Sequence, residues 1–180
     1  MTIGEGTTGA VHVVQNYKNV KIHGISKGTV EKVIANILPS NFKLDIDLIL
    51  SSLKLEADYD FNGQILVIPI VGKGNCTVNL SNVKAKLVLT GKSFEKKGKT
   101  YIDIQKAVMS LKPEKVHFDF ANLFNGDQRL GAEMNKLLND NSEVVFEDVG
   151  SGYEASLAIV VQNMCNLIYH KVPFGDLFPL

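Results

Sequence analysis

The chain carries no surplus of charge of either sign: its 180 residues hold 19 Lys and Arg against 19 Asp and Glu. Nucleic-acid binding draws on counterion release, which needs basic side chains gathered in excess on one face, so no nucleic-acid partner is expected. No Lys/Arg cluster flanks an apolar helix, which leaves electrostatic attraction to anionic membranes without a basis. No stretch reaches the roughly 18 consecutive apolar residues of a spanning helix, so no membrane span is expected either. Cysteine is scarce, and Cys76 and Cys165 are too few to define a disulfide scaffold. The opening Met1-Thr2-Ile3-Gly4-Glu5-Gly6 has neither the basic nor the apolar part of a secretory signal and, taken alone, reads cytosolic.

Reactive constellations are missing too. There is no G-x-S-x-G elbow, no H-E-x-x-H, no C-x-x-C and no P-loop. His12, His23, His117 and His170 are scattered without metal-ligand spacing, and Cys165 and His170, five apart on a helix, fall on different faces. Asp45 with Asp47, and Asp58 with Asp60, share strand faces as i, i+2 pairs. Their neighbours in sequence form the apolar set, so these acids face water rather than form a catalytic dyad. No catalytic residue, metal or cofactor is expected.

What is present is a long run of strands in a chain of suitable length for one domain with one sizeable core. From about Val11 to Phe124 the sequence is strand-like, and Lys27-Gly28, Asn62-Gly63, Lys97-Gly98 and Lys112-Pro113-Glu114 supply turn chemistry between β-rich runs. Turns without intervening helices imply antiparallel neighbours, hence a meander. The alternation slips, however. Leu44, Ile46, Leu48 and Leu50 are even, whereas after Ser51-Ser52 the apolar set is Leu53, Leu55, Ala57, Tyr59 and Phe61. Cys76, Val78 and Leu80 likewise give way after Ser81-Asn82 to Val83, Ala85, Leu87 and Leu89, and Ile102 and Ile104 give way after Lys106 to Ala107, Met109 and Leu111. A period of two changes parity only through an extra residue or a change of buried face. One sheet bending across its width accounts for all three slips; three ordinary turns are the alternative. The segment Ile65–Val71 is apolar at both parities, which fits a strand buried on both faces, with Pro69 requiring an edge or a bulge.

The C-terminal third changes period. Leu130, Met134, Leu137 and Leu138 predict a short helix after Asp127, and Asn141 or Ser142 can cap a second one. Along it Val145, Val149, Tyr153, Leu157, Val161, Met164 and Ile168 form a stripe. Gly150 and Gly152 each weaken its middle by about 1 kcal/mol relative to Ala, so a kink is expected there, and Pro173 ends it. Asn75-Cys76-Thr77 and Asn79-Leu80-Ser81 are N-glycosylation sequons whose asparagines have the outward parity.

In several blocks the chain resembles the takeout/juvenile hormone-binding protein family of insects. The stretches are Lys18-Asn19-Val20-Lys21-Ile22-His23-Gly24-Ile25-Ser26, Leu55-Glu56-Ala57-Asp58-Tyr59 and residues 63–74, then Asn82-Val83-Lys84-Ala85 and Ser110-Leu111-Lys112-Pro113. Asn122-Leu123-Phe124-Asn125-Gly126-Asp127 follows as the most specific, with Leu130-Gly131, Asn135-Lys136-Leu137-Leu138-Asn139, Val172-Pro173-Phe174 and Leu177-Phe178 after it. The resemblance implies an α+β fold of the tubular lipid-binding (TULIP) kind: a super-roll in which a long curled antiparallel sheet wraps around a long C-terminal helix and encloses an apolar tunnel. It implies secretion and a small hydrophobic partner, a terpenoid or fatty acyl molecule. Family members normally begin with a signal peptide and a segment holding a cysteine pair and a helix; this sequence begins after these, so residues 1–180 are expected to form a single domain of the family lacking its usual N-terminal segment. Cys76 and Cys165 are then not the usual pair, and either bridge sheet to helix or stay as two buried thiols.

The expected lining is Leu44, Ile46, Leu48, Ile68, Ile70, Val78, Leu89, Met109, Phe118 and Phe120 from the sheet, and Tyr153, Leu157, Val161 and Met164 from the helix. Tyr153, Tyr101 or Ser110 would supply polar contacts. Tight core packing is the alternative role for each. Three functions remain open at this point: carriage of a hydrophobic ligand, interaction with a receptor or partner around a structural lipid, and hydrolysis of such lipids.

Overall fold

A computed structural model of the chain describes residues 1–3, 11–38, 40–65 and 68–179, with the side chains of Val11, His12 and Ile65 left aside. Strands come first: β1 (Thr2–Ile3), β2 (Val11–His23), β3 (Thr29–Leu38), β4 (Asn41–Ile65), β5 (Ile68–Lys96), β6 (Lys99–Lys112) and β7 (Lys115–Phe120). Helices follow: α1 (Gln128–Asp140), α2 (Ser142–Tyr169) and the single turn α3 (Phe174–Leu177), with one-turn 3-10 helices at Ile25–Lys27 and Phe124–Gly126. The strands form one sheet in the order β1-β2-β4-β5-β6, to which β3 adds beside β4 and β7 beside β5.

The two central strands explain this topology. β4 has 25 residues and β5 has 29, several times the roughly 5–6 of an ordinary strand, so each offers more hydrogen-bonding edge than one partner can fill. β2 pairs antiparallel with residues 54–65 of β4 and β3 with residues 41–49. β7 pairs antiparallel with Cys76–Ser81 of β5. The simple meander is therefore corrected: β2 and β3 are consecutive but share β4 instead of each other, and β7 returns past β6 to β5. Asn62-Gly63 is corrected as well. Both residues lie inside β4 opposite Val14 and Val13, and neither has the positive φ that a type I′ turn demands. The passage from β4 to β5 falls at residues 66 and 67, outside the described residues, as does the middle of the Ile65–Val71 run.

The parity changes occur within continuous strands. β4 buries Phe42 and Leu50, then Leu53, Leu55, Ala57, Tyr59 and Phe61; β5 buries Cys76, Val78 and Leu80, then Val83, Ala85, Leu87 and Leu89. β6 passes from Ile102 and Ile104 to Leu111. These are extra residues in the strands, not turns. Asn82 sits at the change in β5 with φ 49°, and Asn19, φ 51°, sits at the register shift of β2; asparagine enters this left-handed region at least cost among L-residues other than glycine. Gly24, φ 103°, begins the turn out of β2, where a Cβ would run into the Ser52 carbonyl oxygen.

Packing divides the chain into two compact units, residues 1–28, 50–83 and 112–153 in the first and residues 29–49, 84–111 and 154–180 in the second. In the first, Tyr17, Phe61, Tyr59, Phe120 and Phe118 form a run of ring contacts with centroids 4.5–6.2 Å apart. Val145, Phe146, Val149 and Tyr153 of α2 are buried with them. The loop into α1 is a series of left-handed residues, Asn122, Phe124, Asn125 and Gly126. Asn122 holds it by donating Nδ2 to the Lys73 carbonyl at 2.8 Å, and Asp127 caps α1 by accepting from the Leu130 amide at 3.0 Å. α2 runs unbroken through Gly150 and Gly152. Gly152 is there for close approach, since a Cβ would strike Ile3 of β1.

In the second unit Phe42, Leu87, Leu89, Ile102 and Ile104 are the core, and Val161, Cys165 and Tyr169 of α2 pack against it with Phe174 and Phe178. Side-chain amides of α2 complete the hydrogen bonding of β6. Asn166 accepts from the Ile104 amide at 2.8 Å and donates to its carbonyl at 3.0 Å. Gln162 donates to the same carbonyl at 2.9 Å, and Glu154 accepts from the Leu111 amide at 2.7 Å.

Candidate ligand-binding surface

Helix α2 departs from its expected stripe after Val161. The row that meets the sheet advances by four residues throughout: Val145, Val149, Tyr153, Leu157, Val161, Cys165 and Tyr169, the first four buried and the last three half-buried. Met164 and Ile168 belong to another row. With Ile159, Val160 and Leu167 they form an apolar face on the second half of the helix that is 42–64% exposed. A helix apolar all round is ordinarily buried all round. These five apolar side chains, with the exposed Asn163 among them, lie on a face that no described residue covers.

The sheet of the same unit also presents partly uncovered apolar side chains. Leu44, Ile46 and Leu48 are half-buried. Leu44 and Ile46 pack on the core cluster that contains Leu89, and Met109 and Val161 pack there too. Across the β3–β4 ladder Val33 stands opposite Ile46 and Val30 opposite Leu48, and directly opposed residues share a face. Both valines are more than half exposed, so the apolar face extends uncovered onto β3. Of the expected lining, Leu44, Ile46, Leu89, Met109 and Val161 thus gather in one cluster, Leu48 and Leu157 belong to the same unit, and Met164 lies on the open helix face.

The remaining expected residues belong to the first unit. Ile70, Val78, Phe118, Phe120 and Tyr153 are all buried there, Val78 opposite Phe118. Ile68 is exposed at the start of β5 and joins neither group. Tyr153 ends in a buried polar trio: its hydroxyl lies 2.7 Å from that of Tyr17, which donates to Gln15 Oε1 at 2.8 Å. Gln15 is a buried polar residue, and the trio satisfies its own hydrogen bonding. Burial pushes the Tyr17 and Tyr153 phenols well above their usual range. Tyr101 stacks on Phe94, and Ser110 is half-buried.

Two open clefts also lie in the first unit. One, of about 360 Å³, is bounded by the Asn122–Asp127 loop and α1 as far as Asn135. The other, of about 540 Å³, is bounded by Asn16, Lys18, Asp58, Tyr59, Asp60 and residues 73–75. Asp58 accepts from Asn19 at 2.6 Å and Asn75 at 2.9 Å, Lys73 lies 3.6 Å from Asp60, and Lys86 lies 2.7 Å from Asp45 and 3.5 Å from Asp47. Both acidic pairs are held by surface cations and amides. Both cysteines are free thiols; burial, with Asp58 and Asp119 adding to it, raises Cys76 to about 12. Among the described residues no group of three or more His, Cys, Asp or Glu is placed to hold a metal ion, and no helix is long and apolar enough to cross a membrane.

Reading by residue missed Ile159, Val160 and Leu167 on the helix and Val30 and Val33 on β3. The signal was the near absence of polar residues in Leu157–Val161, which leaves α2 without a solvent face at that level.

Residues 1–179 match the profile of the haemolymph juvenile hormone binding protein family. The circadian clock-controlled protein daywake of Drosophila melanogaster is 30% identical over 138 residues, 75% of this chain and 53% of the relative. Its counterpart in Drosophila yakuba is 24% identical over 164 residues, 89% of this chain and 63% of the relative. The chain thus spans less than two thirds of the length of these relatives. Among solved structures, Epiphyas postvittana Takeout 1 superposes with a TM-score of 0.79 at 23% identity, covering 97% of this chain and 79% of that one. A long antiparallel sheet followed by a long C-terminal helix is the TULIP-like fold of that structure, and the chain belongs to the takeout/juvenile hormone-binding protein family.

Proposed function

We propose that the chain binds and carries a small hydrophobic ligand, a terpenoid or a fatty acyl molecule, outside the cell, and that it is not an enzyme. The observation that carries this reading is the uncovered apolar face of α2, Ile159, Val160, Met164, Leu167 and Ile168, in the same unit as the open sheet face of Val30, Val33, Leu44, Ile46 and Leu48. Contiguous apolar patches of this kind mark binding sites in soluble proteins. Covering roughly 300 Å² of such surface gains about 7–8 kcal/mol at ~25 cal/mol/Å², before association and ordering costs. A ligand held by area alone needs no reactive group, and selectivity would come from length and shape more than from polar contacts. Leu44, Ile46, Leu48 and Met164 are the expected lining residues that this surface retains, Met109 and Val161 are half-buried in the same unit, and Leu89 and Leu157 are buried core there. Ile70, Val78, Phe118, Phe120 and Tyr153, which are buried in the first unit, would line a second stretch there.

The test is displacement of a fluorescent fatty acid from the purified protein by a series of terpenoids and acyl chains of graded length, alongside native mass spectrometry. Saturable, length-dependent displacement and an exchangeable lipid adduct are the expected results. A lipid that never exchanges would favour a receptor-interacting protein built around a structural lipid, and absence of both lipid and probe binding would overturn carriage.

A further inference from the structure

We propose that Asn75 is an N-glycosylation site and that the cleft beside it seats the first sugar. This rests on the reading of the chain as extracellular, because the modification belongs to the secretory pathway. β5 carries two sequons, Asn75-Cys76-Thr77 and Asn79-Leu80-Ser81, and the burial of Cys76, Val78 and Leu80 turns both asparagines outward. Their surroundings differ. Asn79 stands opposite His117 in the β5–β7 ladder and is half-buried. Asn75 is exposed and lies one residue before that ladder begins. It opens onto the cleft of about 540 Å³ walled by Asn16, Lys18, Asp58, Asp60 and Lys73, a size within the range of small-ligand sites.

The cleft offers what a pyranose ring with an acetamido group recognises: ammonium and amide donors from Lys18, Lys73 and Asn16, and carboxylate acceptors from Asp58 and Asp60. In the transfer, Asn75 Nδ2 attacks the anomeric carbon of the first N-acetylglucosamine of a lipid-diphosphate-linked oligosaccharide. The N–C bond forms, the anomeric C–O bond to the diphosphate breaks, the lipid diphosphate leaves, and the amide gives up one proton. One N–H stays on Nδ2, enough to keep the 2.9 Å hydrogen bond to Asp58 Oδ1. That bond would orient the sugar over the cleft.

The experiment passes the chain, behind a secretion leader, through insect cells and maps glycopeptides by mass spectrometry before and after peptide N-glycosidase F. A glycan on Asn75 is expected, lost in Thr77→Val, which leaves Asn75 and its partner in place, and retained in Ser81→Ala. Seating of the sugar is read by amine labelling, with Lys18 and Lys73 labelled less in the glycosylated protein than in Thr77→Val. A secreted protein with no glycan, or with one on Asn79 alone, overturns the site, and equal labelling overturns the seating. In the protein with both sequons intact, bound fluorescent fatty acid without a glycan sinks this proposal alone, and a glycan without probe binding sinks carriage alone.

Discussion

Lys97 and Gly98 turn β5 into β6 with both residues at positive φ, 52° and 72°. The type I′ geometry is one that glycine and asparagine adopt readily and lysine does not. Lys97 is exposed, so Lys97→Asn is expected to raise stability by up to about 1 kcal/mol, seen as a higher urea midpoint with unchanged slope; a lower midpoint would mean that the lysine side chain matters there. Dipeptide chemistry marked this turn correctly and failed at Asn62-Gly63, where pairing with Val13 and Val14 keeps the backbone extended. Local preference decides a turn only where no ladder competes. The buried phenols give a second prediction. Burial raises Tyr17 and Tyr153 above the ordinary 10.0 and lifts Tyr59 to about 12. An unfolded chain loses these protons near pH 10 and the folded one later, so the stability they contribute is complete below pH 10 and fades as pH rises through the folded values. Cys76, raised from 9.0 to about 12, adds to the same alkaline loss from pH 9 upward. Tyrosinate absorbance from these residues should therefore appear together with loss of far-ultraviolet ellipticity, and ionisation well ahead of unfolding would contradict their burial.

Helices α1 and α2 are both fastened to strands by side-chain amides. Asn139 accepts from the Phe118 amide and donates to its carbonyl, each at 2.8 Å. Asn135 does the same with Phe120, each at 2.9 Å. Asn166 repeats the arrangement on Ile104 of β6. A bare strand edge offers unpaired donors and acceptors to any passing strand, and these asparagines occupy them from a helix. Asn135→Ala and Asn139→Ala should each cost about 1–3 kcal/mol, the usual penalty for stranding partly buried backbone groups. Hydrogen exchange at Phe118 and Phe120 should accelerate in step, and unchanged exchange would assign the bonds to the surface. From sequence, asparagines at i and i+4 in α1 look like a solvated face; their poor helix propensity is the one hint that they are kept for another purpose. The short helix after Asp127 and the length of α2 were legible because apolar period is local. Why Gly152 is a glycine was not legible, since it answers to Ile3, more than a hundred residues away in the chain.

At the scale of the whole chain, the parity changes in β4, β5 and β6 could be read from alternation alone, because each long strand buries one set of side chains and shows the other. The pairing of β3 and β7 could not, because nothing in a short strand says which part of a 25- or 29-residue neighbour it will take. The candidate site was legible in part for the same reason. Inward residues such as Leu44, Ile46, Leu89 and Val161 follow from period, whereas the face of Ile159, Val160 and Leu167 looks like core to any rule that equates apolar with buried. This distinction separates binding from folding by substitution. Met164 and Leu167 are 60% and 64% exposed, so Met164→Lys with Leu167→Lys should leave the unfolding midpoint within about 0.5 kcal/mol of the parent. The same pair of ammonium groups would sit where a hydrocarbon has to lie, and affinity for the fluorescent fatty acid should fall at least about tenfold, a difference of ~1.4 kcal/mol. Leu89→Ala provides the opposite control: at 3% exposure inside the core cluster it should lose about 2–5 kcal/mol of stability. Unchanged probe affinity in the lysine pair, with the fold intact, would place the ligand somewhere other than the open face of α2.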